Sequence, residues 1–211
     1  MVVNEVIYMG NSNKDWTGNS KAIYSTLAAS NHSKEERAER DYYATDPRAV
    51  EMLLEKESFS PIIWENAVGG GHIAEVLKKH GYKVRCSDIT DRGYPNTYIL
   101  DFLEFNINKE LDLDIITNPP YSEAKSFVEK SLQCVSKGHK VAMFLKLQFL
   151  EGKERRKLFD ANPPKFVYVS SSRLICAPNG IFEKGKSSAV AYAWFVWEKG
   201  FKGEPKIRRI N

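Results

Sequence analysis

Residues Asp114–Tyr121, with the sequence Asp-Ile-Ile-Thr-Asn-Pro-Pro-Tyr, place a short apolar run directly before two consecutive prolines. The run predicts a buried β-strand. The prolines predict where that strand stops, because proline fixes its own φ and has no N–H to donate to a sheet. Two prolines in succession also make a stiff corner, which presents carbonyl oxygens and few donors.

Beside this corner, Asn118 offers a side-chain oxygen and Tyr121 offers an aromatic face. Two rigid acceptors next to a ring suit a planar amino group on a heterocycle, since they can hold both N–H bonds while the rings stack. Taken alone, the tetrapeptide Asn118–Tyr121 favours an ordinary strand-to-helix turn. The rest of the chain has to decide between the two.

Short apolar runs alternate with amphipathic segments from about residue 42 onward. Strands are expected near residues 61–65, 82–86, 97–100, 114–117, 140–147, 166–170 and 189–197. Helices are expected after Asp46, after Gly71 and from about Ser122. This order predicts an α/β fold in which a seven-stranded, mostly parallel sheet has helices on both faces and its last strand antiparallel.

The residues with chemical potential follow the ends of the expected strands. They are Glu65, the Gly69–Gly71 turn, Asp88, Asp101 and Asn118–Tyr121. Parallel sheets bind ligands at the carboxyl ends of their strands, near the point where the strand order reverses. The pattern therefore predicts one binding site at this edge of the sheet.

The segment from Glu65 to Gly71 is a glycine-rich turn between a strand and a helix. A phosphate-binding G-x-G-x-x-G turn would need glycine at position 74, which is alanine, and no Walker lysine follows. The pattern favours a ligand without a diphosphate. Asp88 is placed to accept from two ribose hydroxyls, and Asp101 from an adenine amine, although either acid could instead be a helix N-cap or a solvated loop carboxylate.

The chain of 211 residues is long enough for one substantial domain, which we expect at residues 41–211, preceded by an arm over residues 1–40. The arm is rich in turn formers and charge, which suits either ordering on binding or a flexible tail. Three widely spaced cysteines and scattered histidines predict neither disulfides nor a metal site. With no apolar run of membrane-spanning length and no signal peptide, the sequence favours a cytoplasmic protein without a membrane partner.

Taken together, these motifs resemble the S-adenosylmethionine-dependent amino-methyltransferases, and within them the small phage- and prophage-type DNA N6-adenine methyltransferases. The likeness runs from about Tyr42 to the C-terminus. It is carried by Tyr43–Pro47, Glu65–Gly71, Asp88, Asp101–Phe102, Asn118–Tyr121, Gln148–Gly152 and Ala191–Trp197. It implies a single Rossmann-like methyltransferase domain without a separate large target-recognition domain, in a monomer of a bacterial or phage-infected cell.

The resemblance implies a role for each matched position. Residues implied to bind S-adenosylmethionine are Tyr43, Thr45, Pro47, Glu65, Gly69, Gly71, Asp88, Asp101 and Phe102. Those implied to act on the target are Asn118, Pro119, Pro120 and Tyr121. The chain departs from the family pattern at Asn66, Val68 and Gly70, where related chains often carry proline, cysteine and an acidic residue. This departure keeps a degenerate binding module, without turnover, as an alternative.

By this resemblance the reaction is methyl transfer to the N6 amine of adenine in DNA. The Asn118 oxygen and the Pro119 carbonyl would accept from the amine, and Tyr121 would stack on the base after it is flipped out. Related corners methylate RNA bases or a protein glutamine, and both remain alternatives.

A nucleic-acid substrate needs a phosphate-binding face, and basic residues follow the strand at 140–147. The predicted contacts are Lys146, Lys153, Arg155 and Arg156, around a loop at Gln148–Leu150, together with the aromatic Phe182. Charge runs are usually solvated surfaces, but the location of this one beyond a strand end and the missing recognition domain favour nucleic acid. DNA is the expected partner, and RNA stays open.

Overall fold

The computed structural model describes residues 42–180, 182 and 190–211, all within one structural unit. The predicted arm at residues 1–40 lies outside the described residues. The helices of the described residues are α1 (Pro47–Leu54), α2 (His72–Lys79), α3 (Ala124–Cys134) and α4 (Lys153–Ala161), and a 3-10 turn covers Leu147–Leu150. Their strands are β1 (Tyr43–Thr45), β2 (Ile62–Glu65), β3 (Lys83–Asp88), β4 (Thr97–Ile99), β5 (Asp114–Thr117), β6 (Lys140–Lys146), β7 (Phe166–Ser170), β8 (Cys176–Pro178), β9 (Tyr192–Glu198) and β10 (Lys206–Ile210).

The main sheet has eight strands in the order β10-β7-β9-β6-β5-β2-β3-β4. Among the strands of the described residues in this sheet, β9 alone runs antiparallel to its neighbours, between β6 and β7. The α/β class, the mostly parallel sheet and the antiparallel strand near residue 190 are confirmed. The strand count differs by one, because β10 extends the sheet beside β7, parallel to it.

A second, two-stranded sheet lies apart from the main one. In it β1 pairs antiparallel with β8, with Tyr43 opposite Pro178 and Thr45 opposite Cys176. The backbone N–H of Asp46 continues the ribbon by donating to the Ile175 carbonyl at 3.1 Å. We call this pair the β1–β8 ribbon, which the sequence analysis did not predict.

The main sheet is covered on both faces, as a mostly parallel sheet must be. Helices α1 and α2 bury Leu53 and Leu77 on one face, in the same cluster as Trp194. Helix α3 buries Phe127 on the other face, with Trp197. Strand β9 is therefore apolar on both sides.

Parallel strands bring the predicted site residues to one edge of the sheet. Glu65, Asp88 and Thr117, which precedes Asn118, are the last residues of β2, β3 and β5. These strands are adjacent in the order β5-β2-β3, and the chain order reverses between β2 and β5. Ligands of open α/β sheets bind at such a point.

The segment after β6 corrects one expectation. A loop was expected at Gln148–Leu150, but the chain forms a 3-10 turn there and then the helix α4. Leu158 is the buried residue of α4, so this helix is held by few apolar contacts. A pattern search finds little signal in such a charged segment.

Candidate functional site: a cavity beside a proline corner

A cavity of about 250 Å³ lies at the carboxyl ends of β2, β3 and β5. Its lining comes from both the ribbon and the main sheet. Lining residues predicted from the sequence are Tyr43, Thr45, Glu65, Asp88, Asp101, Phe102, Asn118 and Pro120. Residues that the sequence analysis did not assign are Tyr42, His72, Ile89, Arg92, Glu123 and Phe127, among others.

Glu65 is the deepest ionisable group of this cavity. Its side chain is 1% exposed, and its Oε2 has no hydrogen-bond partner among the described residues. Burial raises the pKa of this carboxyl well above its usual value, against a hydrogen bond from the Ala74 backbone that lowers it. A buried acid of this kind is suited to a cationic group, which would both satisfy the free oxygen and favour the ionised form.

Asp88 binds the glycine turn with one carboxylate oxygen and the turn after β3 with the other. Oδ2 accepts from the backbone N–H of Gly69 at 2.8 Å, and Oδ1 accepts from that of Thr90 at 3.0 Å. A carboxylate oxygen has two lone pairs, so each can accept one more bond. Asp88 therefore holds the backbone of two turns, while its place in the lining leaves it able to bind hydroxyls.

The glycines Gly69 and Gly71 meet tyrosine rings rather than the cavity. Both have positive φ, 56° and 82°, which favours glycine. A Cβ at Gly69 would collide with the ring of Tyr42, and one at Gly71 with the ring of Tyr94. The Tyr42 hydroxyl also accepts from the backbone N–H of Gly70 at 2.9 Å. The space left by the missing side chains of Gly69 and Gly71 is thus filled by the rings of Tyr42 and Tyr94.

Asp101 and Phe102 form the wall beyond β4. Asp101 is exposed, and its side chain accepts from the N–H of Leu103 at 2.9 Å. Phe102 is buried, with its ring edge-on to Trp64 at a centroid distance of 5.3 Å. Both line the cavity, and Phe102 provides it with an apolar surface.

Asn118 is held by one side of its amide only. Its Nδ2 donates to the Tyr43 carbonyl at 2.8 Å and to Thr45 Oγ1 at 2.9 Å. Its Oδ1 is buried and has no partner within the described part of the chain. Asn118 therefore brings an unused acceptor to the cavity wall.

The prolines behave as the sequence indicates. Pro119 is buried and Pro120 lines the cavity. The Pro120 carbonyl accepts from the backbone N–H of Glu123 at 3.0 Å, which turns the chain into α3. Pro47, by contrast, is exposed at the first position of α1 and is not part of the lining, while Asp46 caps this helix by accepting from the Arg48 N–H.

The three departures from the family pattern have distinct surroundings. Asn66 lines the cavity with its Oδ1 buried and unpartnered among the described residues, while its Nδ2 lies 3.5 Å from Ser131 Oγ. Val68 packs against Ala74 and Cys86. The Gly70 N–H is bound by Tyr42. None of the three blocks the cavity.

Tyr121 lies on the far side of the corner and does not line the cavity. It borders a second depression of about 390 Å³, which we call the outer groove, with Lys146, Gln148, Phe149 and Arg155 in its wall. Its hydroxyl donates to Cys176 Sγ at 3.1 Å, and its ring stacks on Tyr43 at 5.5 Å. The Lys146 ammonium lies 4.8 Å from the centre of the Tyr121 ring.

The predicted phosphate-binding residues divide into two kinds. Arg155 is engaged within the protein: its Nε donates to the Phe149 carbonyl at 2.8 Å, and its guanidinium lies over the Phe149 ring. Lys153 and Arg156 are exposed on α4, and Arg156 forms an i,i+4 ion pair with Asp160. Exposed pairs of this kind contribute little to stability, so they exchange easily for other anions.

Phe182 stands at the other rim, away from this basic helix. It is 41% exposed, and its ring lies 5.5 Å from that of His72, which lines the cavity. Burial lowers the pKa of His72, so the imidazole is neutral at physiological pH. Sequence offered little signal for His72 or Tyr42 beyond their positions next to the glycine turn and to β1.

No family model matches this chain, and no curated protein matches it either. Among the described residues no group of histidine, cysteine and acidic side chains could hold a metal ion, and none of the helices there is long and apolar enough to cross a membrane.

Solved structures match in fold. A protein from Listeria monocytogenes, assigned as a class I S-adenosylmethionine-dependent methyltransferase, aligns at a TM-score of 0.53 and 13% identity, over 90% of this chain and 70% of its own. One from Pyrococcus horikoshii, assigned as an RNA methyltransferase, gives 0.53 and 16% over 86% and 99%. A modification subunit assigned to a type I restriction enzyme of Vibrio vulnificus gives 0.53 and 12% over 95% and 53%. The chain has the fold of class I methyltransferases.

Proposed function

We propose that this protein transfers a methyl group from S-adenosylmethionine to the exocyclic N6 amine of adenine in DNA, with the base flipped into the proline corner. The observation that carries the proposal is the Asn118 side chain. Its amide hydrogens are both bound, and its buried Oδ1 is left as an acceptor at the cavity wall.

The cavity suits the cofactor on its own chemistry. S-adenosylmethionine carries an ammonium and a sulfonium, and the unpartnered Oε2 of Glu65 is a buried acceptor for such a cation. Asp88 retains acceptor capacity for ribose hydroxyls, and Phe102 offers an apolar wall for a purine. We therefore assign Glu65, Asp88 and Phe102 to the cofactor, with Asp101 at the purine end.

The corner acts by accepting hydrogen bonds. An exocyclic adenine amine is a weak nucleophile, because its lone pair is delocalised into the ring. Asn118 Oδ1 and the Pro119 carbonyl accept hydrogen bonds from its two N–H groups and favour the pyramidal amine of the transition state. The methylated amine then loses one proton to water, and the cofactor leaves as a neutral thioether. The cofactor, when bound, supplies an electrophilic methyl group, so the protein needs to provide no nucleophile.

The outer groove is the proposed entry for the base. A base within a duplex hides its amine, so it has to be unpaired before it reaches Tyr121. The Lys146 ammonium now lies over the Tyr121 ring, and stacking requires it to move aside. Lys153 and Arg156 on α4, beside this groove, are the proposed phosphate contacts, and Phe182 is a second stacking residue at the opposite rim.

Nucleic acid is favoured over a protein substrate by the basic α4 next to the groove. Two of the proteins with this fold are assigned to nucleic-acid modification, one of RNA and one within a restriction system. At their low identities they support the fold alone, so the choice of DNA is part of the proposal.

A tritium-methyl transfer assay tests the proposal on three substrates: adenine-containing DNA, RNA, and a peptide with an exposed glutamine. We expect label on DNA, lost when every adenine is replaced. Label on RNA but not DNA would identify an RNA methyltransferase, and label on the peptide but not DNA would identify a glutamine methyltransferase. If calorimetry detects no binding of S-adenosylmethionine, the protein is instead a binding module that has lost turnover.

A further inference from the structure

We propose that Thr45 is a positioning residue, which holds the Asn118 amide in the orientation that the neighbouring Tyr43 carbonyl selects, with the amide oxygen facing the target amine. The inference rests on the proposed function. Thr45 acts through Asn118 rather than on the substrate, and its hydroxyl is 2.9 Å from Asn118 Nδ2.

An asparagine amide can lie in two orientations that differ by a half-turn. In the observed one, both Nδ2 hydrogens meet acceptors, the Tyr43 carbonyl at 2.8 Å and Thr45 Oγ1. In the reversed one, Oδ1 would face the Tyr43 carbonyl, and two acceptors would meet without a hydrogen between them, whereas the Thr45 hydroxyl can donate or accept. The carbonyl therefore selects the orientation, and the bond to Thr45 holds the amide in it. The reversed amide would also present donors to the N–H bonds of the target. The orientation thus decides whether the corner attracts or repels an amine.

The β1–β8 ribbon holds Thr45 in place for this role. Thr45 is 2% exposed and pairs with Cys176 across the ribbon. Tyr43, whose carbonyl takes the other hydrogen, lies on the same strand. One short strand therefore supplies both acceptors, and the main sheet supplies the asparagine.

Thr45→Val is the matching substitution, since it keeps the shape and removes the acceptor. At saturating S-adenosylmethionine, checked by calorimetry, we expect a single-turnover rate on adenine-containing DNA about 3- to 10-fold lower, as for one lost hydrogen bond. Thr45→Ser keeps the hydroxyl and should restore most of the rate. The Tyr43 carbonyl remains in both variants, which limits the loss.

Thr117→Val is the matched control. Thr117 is also a buried threonine, directly before Asn118, but its Oγ1 has no partner among the described residues. The Thr117→Val substitution removes a hydroxyl, as Thr45→Val does, but removes no hydrogen bond, so we expect an unchanged rate. A loss equal to that of Thr45→Val would mean that any change near the corner slows the reaction, and would overturn the proposal.

A second readout does not depend on turnover. In ¹⁵N spectra, both Nδ2 protons of Asn118 should exchange slowly in the natural protein and in Thr117→Val, and one should exchange faster in Thr45→Val. Unchanged exchange, or an undiminished rate at saturating cofactor, overturns the role of Thr45. A natural protein without methyl transfer would overturn the proposed function, while the exchange measurement would still decide whether Thr45 holds the amide.

Discussion

The two sides of the proline corner differ in how far their polar groups are satisfied. On the cavity side, Glu65, Asn66 and Asn118 each keep a buried oxygen without a partner among the described residues. On the groove side, Tyr121 bonds to Cys176, and Arg155 bonds to backbone carbonyls and covers a ring. Unsatisfied buried acceptors cost stability, and native proteins keep few of them. The cavity side thus has acceptors available for a ligand, while the polar groups of the groove side mainly bond to other parts of the protein.

This contrast can be tested by measuring stability separately from ligand binding and rate. Changes confined to the unpartnered oxygens of the cavity side should change binding or rate and leave the stability of the free protein level or higher. Substitutions that break a contact within the protein on the groove side should lower its stability.

The largest effect is expected at Asn118. Asn118→Ala removes an acceptor aimed at the target amine, and by analogy with a lost oxyanion-hole donor we expect about 100- to 1000-fold slower single-turnover methylation. S-adenosylmethionine affinity, measured by calorimetry, should stay within about twofold. A near-normal rate on adenine-containing DNA would reduce the corner to a simple strand-to-helix turn.

Glu65→Gln should weaken S-adenosylmethionine binding by about 1.5–3 kcal/mol at alkaline pH, since it removes the charged acceptor.

The stability of the free natural protein should also depend on pH. Burial raises the pKa of Glu65 well above 4.5, so the folded apo protein keeps a proton that the unfolded chain loses, and this group lowers stability as the pH rises above about 4.5.

A bound cation favours the ionised carboxylate, so binding should expel that proton, and affinity should rise with pH up to the folded pKa of Glu65. Calorimetry in two buffers of different ionisation enthalpy counts the proton. Proton release that persists in Glu65→Gln would assign the linkage to another group. A lower melting temperature for the free Gln variant would break the contrast between the two sides.

Tyr121→Leu should weaken binding of the flipped base by about 1–3 kcal/mol, the range for base–aromatic stacking, seen as reduced fluorescence of 2-aminopurine at the target position. Tyr121→Phe is its matched control, because it keeps the ring and loses the hydroxyl with its bonds to Cys176 and Tyr192. We expect normal base binding and a lower melting temperature from the Phe variant. Equal losses of base binding in both would exclude stacking as the role of the ring.

The smallest effects separate two adjacent arginines. Arg156→Ala should reduce the slope of log affinity for DNA against log salt by about one phosphate contact, without changing the melting temperature. Arg155→Ala should cost about 0.5–1.5 kcal/mol of stability, because its guanidinium braces the turn before α4. An unchanged slope in Arg156→Ala would place the phosphate contacts on another surface.

The sequence predicted the strands that position the site and placed Glu65, Asp88 and Asn118 at their ends, because these elements follow local hydrophobic patterns. It missed β10, whose sequence Lys-Ile-Arg-Arg-Ile buries only Ile210 and looks like a basic tail. It missed the β1–β8 ribbon because pairing between strands so distant in sequence has no local signal. For the same reason it assigned Thr45 to the cofactor alone, without its bonds to Asn118.

The position of β9 has a consequence for how the chain is assembled. Residues through β6 can build one half of the sheet as they leave the ribosome, but β7 joins that half only through β9, which is made later. In the interval, β6 is an open edge with the apolar sequence Val141–Leu145, the type of edge that pairs with other chains. We expect a synthesis arrested before β9 to yield aggregates rather than a stable half-domain, and the last third of the chain to limit the folding rate.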